Sequence, residues 1–540
     1  MKYNNRIKYF GLLWMLPLAI VSCTDTWDSH YDEDNRMQTA EKTLWEEIES
    51  RPELNEFAQC LKTYGYDKLL DGDQMFTVFA PEGTIDTDGL TEKKIQTEVL
   101  ENHIARYAHS ANSATVDKGV TMLNKKVINF TKSGDGYIFG NNTLSSDKYN
   151  IIAQNGVLHV IGGQEKFFHN IWEYLTTDAR FDKVRTYLYS FNDTILDENA
   201  SVKGDIVNGK QEYVDSVIYV SNDLFYNVGK LDDEDSTYTM IVPTNDAWDE
   251  AYERVKPYYK YPTIKEQKEK YDSLQQVYTG LALVRDLVFS HTVQTSPEDQ
   301  LVSTYPAYKT EDRHVFEKPF ESILYGYTGW NDGVQCSNGS VFVVDRLRHK
   351  PWESWHTRLK VEGELSNALA AITNATEYRR EISYSDTLYT RTSSGAYLES
   401  VSSSAAWVSG EPSMVFNVWN NLAGKYNVKI VFMPQSLATS KEYRDRNKAN
   451  RFNVLYACRQ ADGTFPTTMT LVGKRGLTNN PSAIDTVDVG TIELPVCAYG
   501  EENAGLKIRI ESNMSRNQWN KNDYSKAFMI DCIILEPSKD

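Results

Sequence analysis

Cysteine is scarce in this chain. There are six in 540 residues, with no C-x-x-C pair and no other spacing that a metal would need. Catalytic signatures are missing as well: no G-x-S-x-G elbow, no H-E-x-x-H, no Walker loop and no dinucleotide-binding glycine fingerprint. No cofactor and no metal are therefore expected. Basic residues are in deficit, 57 Lys and Arg against 75 Asp and Glu, for a net charge of −18. A surface of that sign repels phosphate backbones, so nucleic acid is not expected as a partner. Beyond residue 22, no apolar run is long enough to cross a bilayer.

What is present points to a large globular protein. A hydrophobic content of 41% with 12% aromatics supports sizeable cores. The length predicts about three domains of 100–200 residues each. Lys2, Arg6 and Lys8 precede an apolar run through Leu16, Leu18, Ala19, Ile20 and Val21, the form of a secretory signal peptide. The run is short for a membrane span, and Pro17 interrupts it. It ends Ile20-Val21-Ser22-Cys23, which resembles the bacterial lipobox. That resemblance implies lipidation at Cys23 and a membrane-anchored mature chain; an ordinary signal peptide is the alternative. Removing residues 1–22 takes away three positive charges and no negative one, which leaves −21. Asp25, Asp28, Asp32, Glu33 and Asp34 then form a solvated tether over 23–37, similar to the acidic export signal of Bacteroidetes surface lipoproteins. Five cysteines remain, and one disulfide among Cys458, Cys497 and Cys532 is open.

The chain carries an internal repeat. Met75–Gly83 reads M-F-T-V-F-A-P-E-G and Tyr238–Trp248 reads Y-T-M-I-V-P-T-N-D-A-W. Proline has no N–H to donate, so each β-favouring run should end at Pro81 or Pro243. After Pro243, Thr244, Asn245 and Asp246 offer caps for a helix over 247–255. Leu44-Trp45-Glu46 pairs with Ile171-Trp172-Glu173 at a helix start. His103 pairs with His291 at a helix end. Asn155-Gly156-Val157 pairs with Asn338-Gly339-Ser340 at a turn into a strand. The second copy is longer around 205–235 and across Lys256–Gln276, which predicts insertions there.

These landmarks resemble the fasciclin family: F-T-V-F-A-P and I-V-P-T-N-D-A-W are similar to its first motif, and the histidine with the closing N-G-x-x-x-V-I or V-V-D strand to its second. The resemblance implies two tandem domains, 38–168 and 169–350, each a β-sandwich-like wedge with helices around it. It implies adhesion or ligand presentation rather than chemistry, with Pro81, His103, Pro243 and His291 as structural residues. Pro81-Glu82-Gly83 departs from the family's P-T-N/D, so the first helix start should be altered.

After Leu347 the pattern changes. Trp352–Ala371 leans helical and reads as a connector over 351–371. Met414–Trp419, Tyr426–Phe432, Val454–Cys458, Thr491–Leu494, Leu506–Ile510 and Phe528–Leu535 are β-favouring at sandwich-like intervals. The closing stretch Ala527–Pro537 resembles the last strand of galactose-binding-like jelly-roll modules. The expected fold class is multidomain α+β: two tandem fasciclin-like domains, then an all-β sandwich over 372–540.

No Ser, Cys or carboxylate recurs beside both histidines, so a catalytic base there lacks a partner. The run Asp232–Asp235 lacks the ligand spacing of a calcium loop and reads as solvated. Glycan sites use ring faces together with amides and carboxylates. Trp519, with Asn520, Asn522 and Asp523 in a polar stretch, fits that pattern; Trp419, among apolar neighbours, reads as core. The expected function is non-catalytic adhesion or ligand binding by an outer-membrane lipoprotein. The alternative is an accessory glycan- or peptide-capturing subunit of a TonB-dependent uptake complex; a hydrolase is a third reading. Expected partners are the membrane through Cys23, and a glycan, a protein or an outer-membrane transporter complex at the cell surface.

Overall fold

Phe76–Pro81 and Tyr238–Pro243 are the central strands of two four-stranded sheets with one topology. In the first, Phe76–Pro81 runs parallel to Gly156–Ile161 and antiparallel to Ile104–Arg106. In the second, Tyr238–Pro243 runs parallel to Gly339–Val344 and antiparallel to Val288–Ser290. The corner strands are mainly apolar and buried, each broken by one threonine, because both of their faces are covered. Val78 and Ala80 pack with the helical residues Leu44, Ile48, Phe57 and Leu61, while Phe79 packs with Phe130 and Phe139 of an antiparallel meander.

The computed structural model describes residues 40–111, 118–199, 201–207, 210–290, 300–305 and 313–539. Cys23, the signal peptide, the tether and His291 lie outside them. The chain divides into two compact units, Met1–Phe168 and His169–Asp540.

The duplication reaches individual hydrogen bonds. Asn155 Oδ1 accepts the N–H of Leu44 (2.8 Å), and its Nδ2 donates to the carbonyls of Leu70 (2.7 Å) and Gly72 (2.6 Å). Asn338 Oδ1 accepts the N–H of Ile171 (2.9 Å), and its Nδ2 donates to the carbonyls of Leu231 (2.9 Å) and Asp233 (3.0 Å). Both helix starts carry a capping box, Thr43 with Glu46 and Asn170 with Glu173. Gly156 and Gly339 sit at φ +152° and +142°, where a Cβ would lie 1.9 and 1.8 Å from the Phe76 and Tyr238 carbonyl oxygens. Only glycine lets these backbones approach so closely.

Two sequence expectations are corrected. Counted along the sheet, Val78 faces Ile104 and Met240 faces Val288, so His103 corresponds to Leu287, four residues before His291. The strand pairing overrides the letter match. The stretch 351–371 is not a helical connector: Leu359–Glu362 pairs with Ala527–Pro537, and Leu369–Thr373 pairs with Ser413–Val418. Leu359 and Val361 alternate with Lys360 and Glu362, a two-residue period that belongs to a strand. The altered helix start after Pro81 is present: Glu82–Leu90 is not helical, and the next helix waits for the Thr91 cap.

The C-terminal region is a sandwich of two six-stranded sheets, one centred on Gly424–Phe432 and Ala527–Pro537, the other on Arg451–Cys458 and Leu506–Ser512. Its core holds Phe416, Ile430, Phe432, Phe452, Ile508, Ile510 and Ile533. The second repeat does not stand apart from it. Across Lys256–Gln276 the chain folds into a 3₁₀ turn at Lys256–Tyr259 and the start of the helix Lys268–Val284, and it docks on the sandwich. Tyr258 O accepts Ala423 N–H (2.9 Å), Lys260 O accepts Cys497 N–H (2.7 Å) and Thr263 N–H donates to Ala461 O (2.8 Å). Tyr259 and Tyr278 close edge-to-face on Tyr499 at 5.7 and 4.9 Å, and Leu422 and Cys497 join the core of the second repeat. All five cysteines after Cys23 are free thiols.

Candidate functional site

Where Lys256–Gln276 meets the sandwich, a cleft of about 640 Å³ opens within the second unit. The repeat contributes Ile264, Gln267, Lys270 and Tyr271; the sandwich contributes Asn417, Trp419, Arg459, Phe465, Asn503 and Lys507. Strand parity explains the sandwich side. Met414, Phe416 and Val418 face the core, which turns Asn417 and Trp419 to the other face. Trp419, expected in the core, packs against the edge of the sandwich core and is half-buried at the cleft wall.

Glu501 anchors the floor. Its side chain is 7% exposed, and it pairs with Arg459 and accepts the Tyr271 hydroxyl (3.1 Å), with Lys270 Nζ at 3.8 Å. Burial, reinforced by Glu501, pushes the Tyr271 phenol up, so that hydroxyl stays a donor at neutral pH. Lys507 lies 5.3 Å over the Phe465 ring. The result is a polar trough with one half-buried indole, amides from Asn417, Asn503 and Gln267, the Glu501 carboxylate paired with Arg459, and the exposed carboxylate of Glu502. Such an arrangement can stack a ring and satisfy hydroxyls.

Trp519 is placed otherwise than expected. It lies on a short helix, Arg516–Lys521, opened by a Ser515–Gln518 capping box, and is 2% exposed. Its Nε1 points to Ala405 O (3.5 Å), and Lys526 Nζ sits 4.2 Å from the ring centroid. The face on which a sugar would stack is covered. Asn520 and Asp523 are exposed, whereas Asn522 ends the helix at φ +51°. Of the structural residues, Pro81 and Pro243 end their strands, and His103 is fully buried. His103 Nδ1 donates to Val99 O (2.6 Å) and its Nε2 accepts Glu165 N–H (2.9 Å), which fixes a neutral imidazole; burial lowers its pKa to about 4.

Two polar clusters escaped the sequence reading. Asp286, fully buried, accepts His314 Nδ1 (2.9 Å) and the Ser354 hydroxyl. Serine and imidazole both serve the same carboxylate, so neither activates the other. In the sandwich, Glu362 and Glu364 accept the Ser393 and Ser394 hydroxyls (both 2.6 Å), and the Ser393 N–H points to Asp531 (3.2 Å). Burial, against the Ser393 N–H and with Glu362 nearby, lifts Asp531 to about 6. Among the described residues no group of three or more His, Cys, Asp or Glu is arranged to hold a metal. Asp232–Asp235 instead provides carbonyls to Asn170 and Asn338.

Residues 52–163 match the fasciclin domain family, so the first repeat contains a fasciclin domain. No curated protein matches the chain. Among solved structures, a domain pair from the insect cell adhesion molecule Fasciclin I is similar over 56% of this chain and 98% of its own, at 14% identity and a TM-score of 0.20. The xylan-binding domain CBM22-1 of Paenibacillus barcinonensis Xyn10C is similar over 34% of this chain and 94% of its own, at 12% identity and a TM-score of 0.21. An exo-beta-1,3-galactanase from Phanerochaete chrysosporium is similar over 33% of this chain and 29% of its own, at 14% identity and a TM-score of 0.17.

Proposed function

We propose that this chain is a non-catalytic, lipid-anchored surface protein that captures a glycan in the cleft between its second repeat and its sandwich. The observation that carries this reading is the cleft itself, where Trp419 and the amides of Asn417 and Asn503 surround a carboxylate already satisfied by Arg459 and Tyr271. Stacking needs an apolar ring face, and hydroxyl recognition needs amide donors and acceptors. The anchor rests on Ile20–Cys23, and no helix among the described residues is long and apolar enough to cross a membrane. One acyl chain binds marginally and two hold firmly, at about 0.8 kcal/mol per buried CH₂.

The test is a glycan array probed with the mature chain, followed by calorimetry on Trp419→Ala. Loss of about tenfold or more in affinity is expected, by analogy with the roughly 1–3 kcal/mol that a nucleic-acid base contributes by stacking on one ring. In cells, Cys23→Ala should leave the membrane fraction. No glycan bound, or affinity unchanged by the substitution, overturns the cleft reading; an alanine variant that stays membrane-bound overturns the anchor.

A further inference from the structure

The two repeats share one plan, and the second departs from it by two insertions. The insertion at Lys256–Gln276 buries its tyrosines against the sandwich. The other leaves the body at Asn192–Leu196, continues through Val202–Val207, turns back along Lys210–Asp215 and returns at Ile218–Asn222. It forms two successive two-stranded sheets, and no third strand joins either of them among the described residues. A two-stranded ribbon is marginal in water unless something packs on it.

This arm also exposes what folding normally hides. Tyr219 stands opposite Ile195 and Ile218 opposite Leu196, so successive residues put apolar groups on both faces. Ile218 and Val220 are each 62% exposed, and Val214 at the far end is 79% exposed. The strand Ile218–Asn222 carries no charge and no proline, the devices that protect a free edge. Around it the charge is one-sided: residues 192–222 hold six carboxylates and two lysines, with Asp193, Glu198 and Glu212 exposed. A second copy would bring like charge against like charge across a small ribbon.

We propose that the arm docks a different protein, one that adds a strand to the Ile218–Asn222 edge and surrounds it with lysine and arginine. The apolar strand supplies the contact, and the acidic rim selects the partner and excludes another copy of this chain. This surface is independent of the glycan cleft.

The experiment places a photo-crosslinking amino acid at position 220 of the full chain in the cells that make it, with position 384, exposed on the sandwich, as control. A crosslink at 220 to one other protein, identified by mass spectrometry, is the first expected result. With the purified partner, binding should weaken about tenfold between 50 and 500 mM salt. The double substitution Ile218→Lys and Val220→Lys should weaken it by about tenfold or more without moving the thermal midpoint. Val220→Asp, which keeps the attraction of the rim, should cost less than the lysines. A crosslink to a second copy, equal yield from position 384, no crosslink at all, or binding indifferent to both salt and the lysines would overturn the proposal.

Discussion

The first and second repeats hold the same sheet with the same residues and differ in what has been let into the loops. Asn155 and Asn338 make the same three bonds, Gly156 and Gly339 admit the same close carbonyl, and Pro81 and Pro243 end the same strand. The excess length of the second repeat lies instead in the acidic arm and in the stretch that docks on the sandwich. Residues that set register are therefore shared, while residues that meet something else are free to diverge. His103 illustrates the boundary. It is buried and bonded at both nitrogens, yet its counterpart in the sheet is Leu287, so a histidine is one way to fill that corner rather than a requirement of the plan.

The sharpest way to break the equivalence is at the glycines. Gly156→Ala and Gly339→Ala should each destabilise their own unit by about 4 kcal/mol or more, because the added carbon meets backbone oxygen that cannot move. Denaturant unfolding of the two variants measures it; one tolerated and one lethal would show that the repeats are not held alike. A somewhat smaller effect separates their surroundings. Residues 169–540 should unfold in a single calorimetric transition, since Tyr259, Tyr278 and Tyr499 join two cores. Tyr499→Ala should cost about 3 kcal/mol and split that transition in two, leaving the midpoint of the first unit unchanged. Two transitions in the unaltered chain would mean that the docked stretch does not couple the domains.

The smallest expected effect per residue is a pH response of the first unit. His103 and His159 are buried with pKa lowered by desolvation to about 4, against an unfolded value near 6.5. The unfolded chain binds the extra protons, so stability is complete above pH 6.5 and is lost as pH falls toward 4. Each imidazole should account for roughly 2 kcal/mol by pH 5. His103→Gln should flatten the slope by about one proton in melts from pH 7.5 to 5, and an unchanged slope would assign the response elsewhere.

Much of this plan is readable in the letters. Paired F-T-V-F-A-P and T-M-I-V-P runs, paired Asn-Gly turns and the Lys256–Gln276 insertion sit where their composition places them, because proline, glycine and asparagine constrain the backbone locally; the other insertion, expected around 205–235, spans 192–222, since Leu231 and Asp233 already belong to the shared plan. The apolar neighbours of Trp419 place it against the core, where it packs in part, while the parity of Met414, Phe416 and Val418 turns it toward the outer face. Trp519 stands in a polar stretch, yet Ser515 and Gln518 spell a capping box and so a helix. The cleft was not readable at all. Its walls are contributed by residues near 265 and near 420, 460 and 500, and only the docking of an insertion brings them together.

One feature of the shared sheet bears on how such a protein is made. Phe76–Pro81 is zipped in parallel to Gly156–Ile161, and Tyr238–Pro243 to Gly339–Val344, so each repeat is closed by its final strand. During synthesis the corner strand emerges long before the strand that covers its edge, and non-local closure of this kind is slow. A ribosome-bound chain therefore holds each repeat open until its last strand is delivered. No internal cut leaves a piece with a complete sheet. The whole span from helix start to closing strand is the smallest stretch that duplication could copy and still have fold.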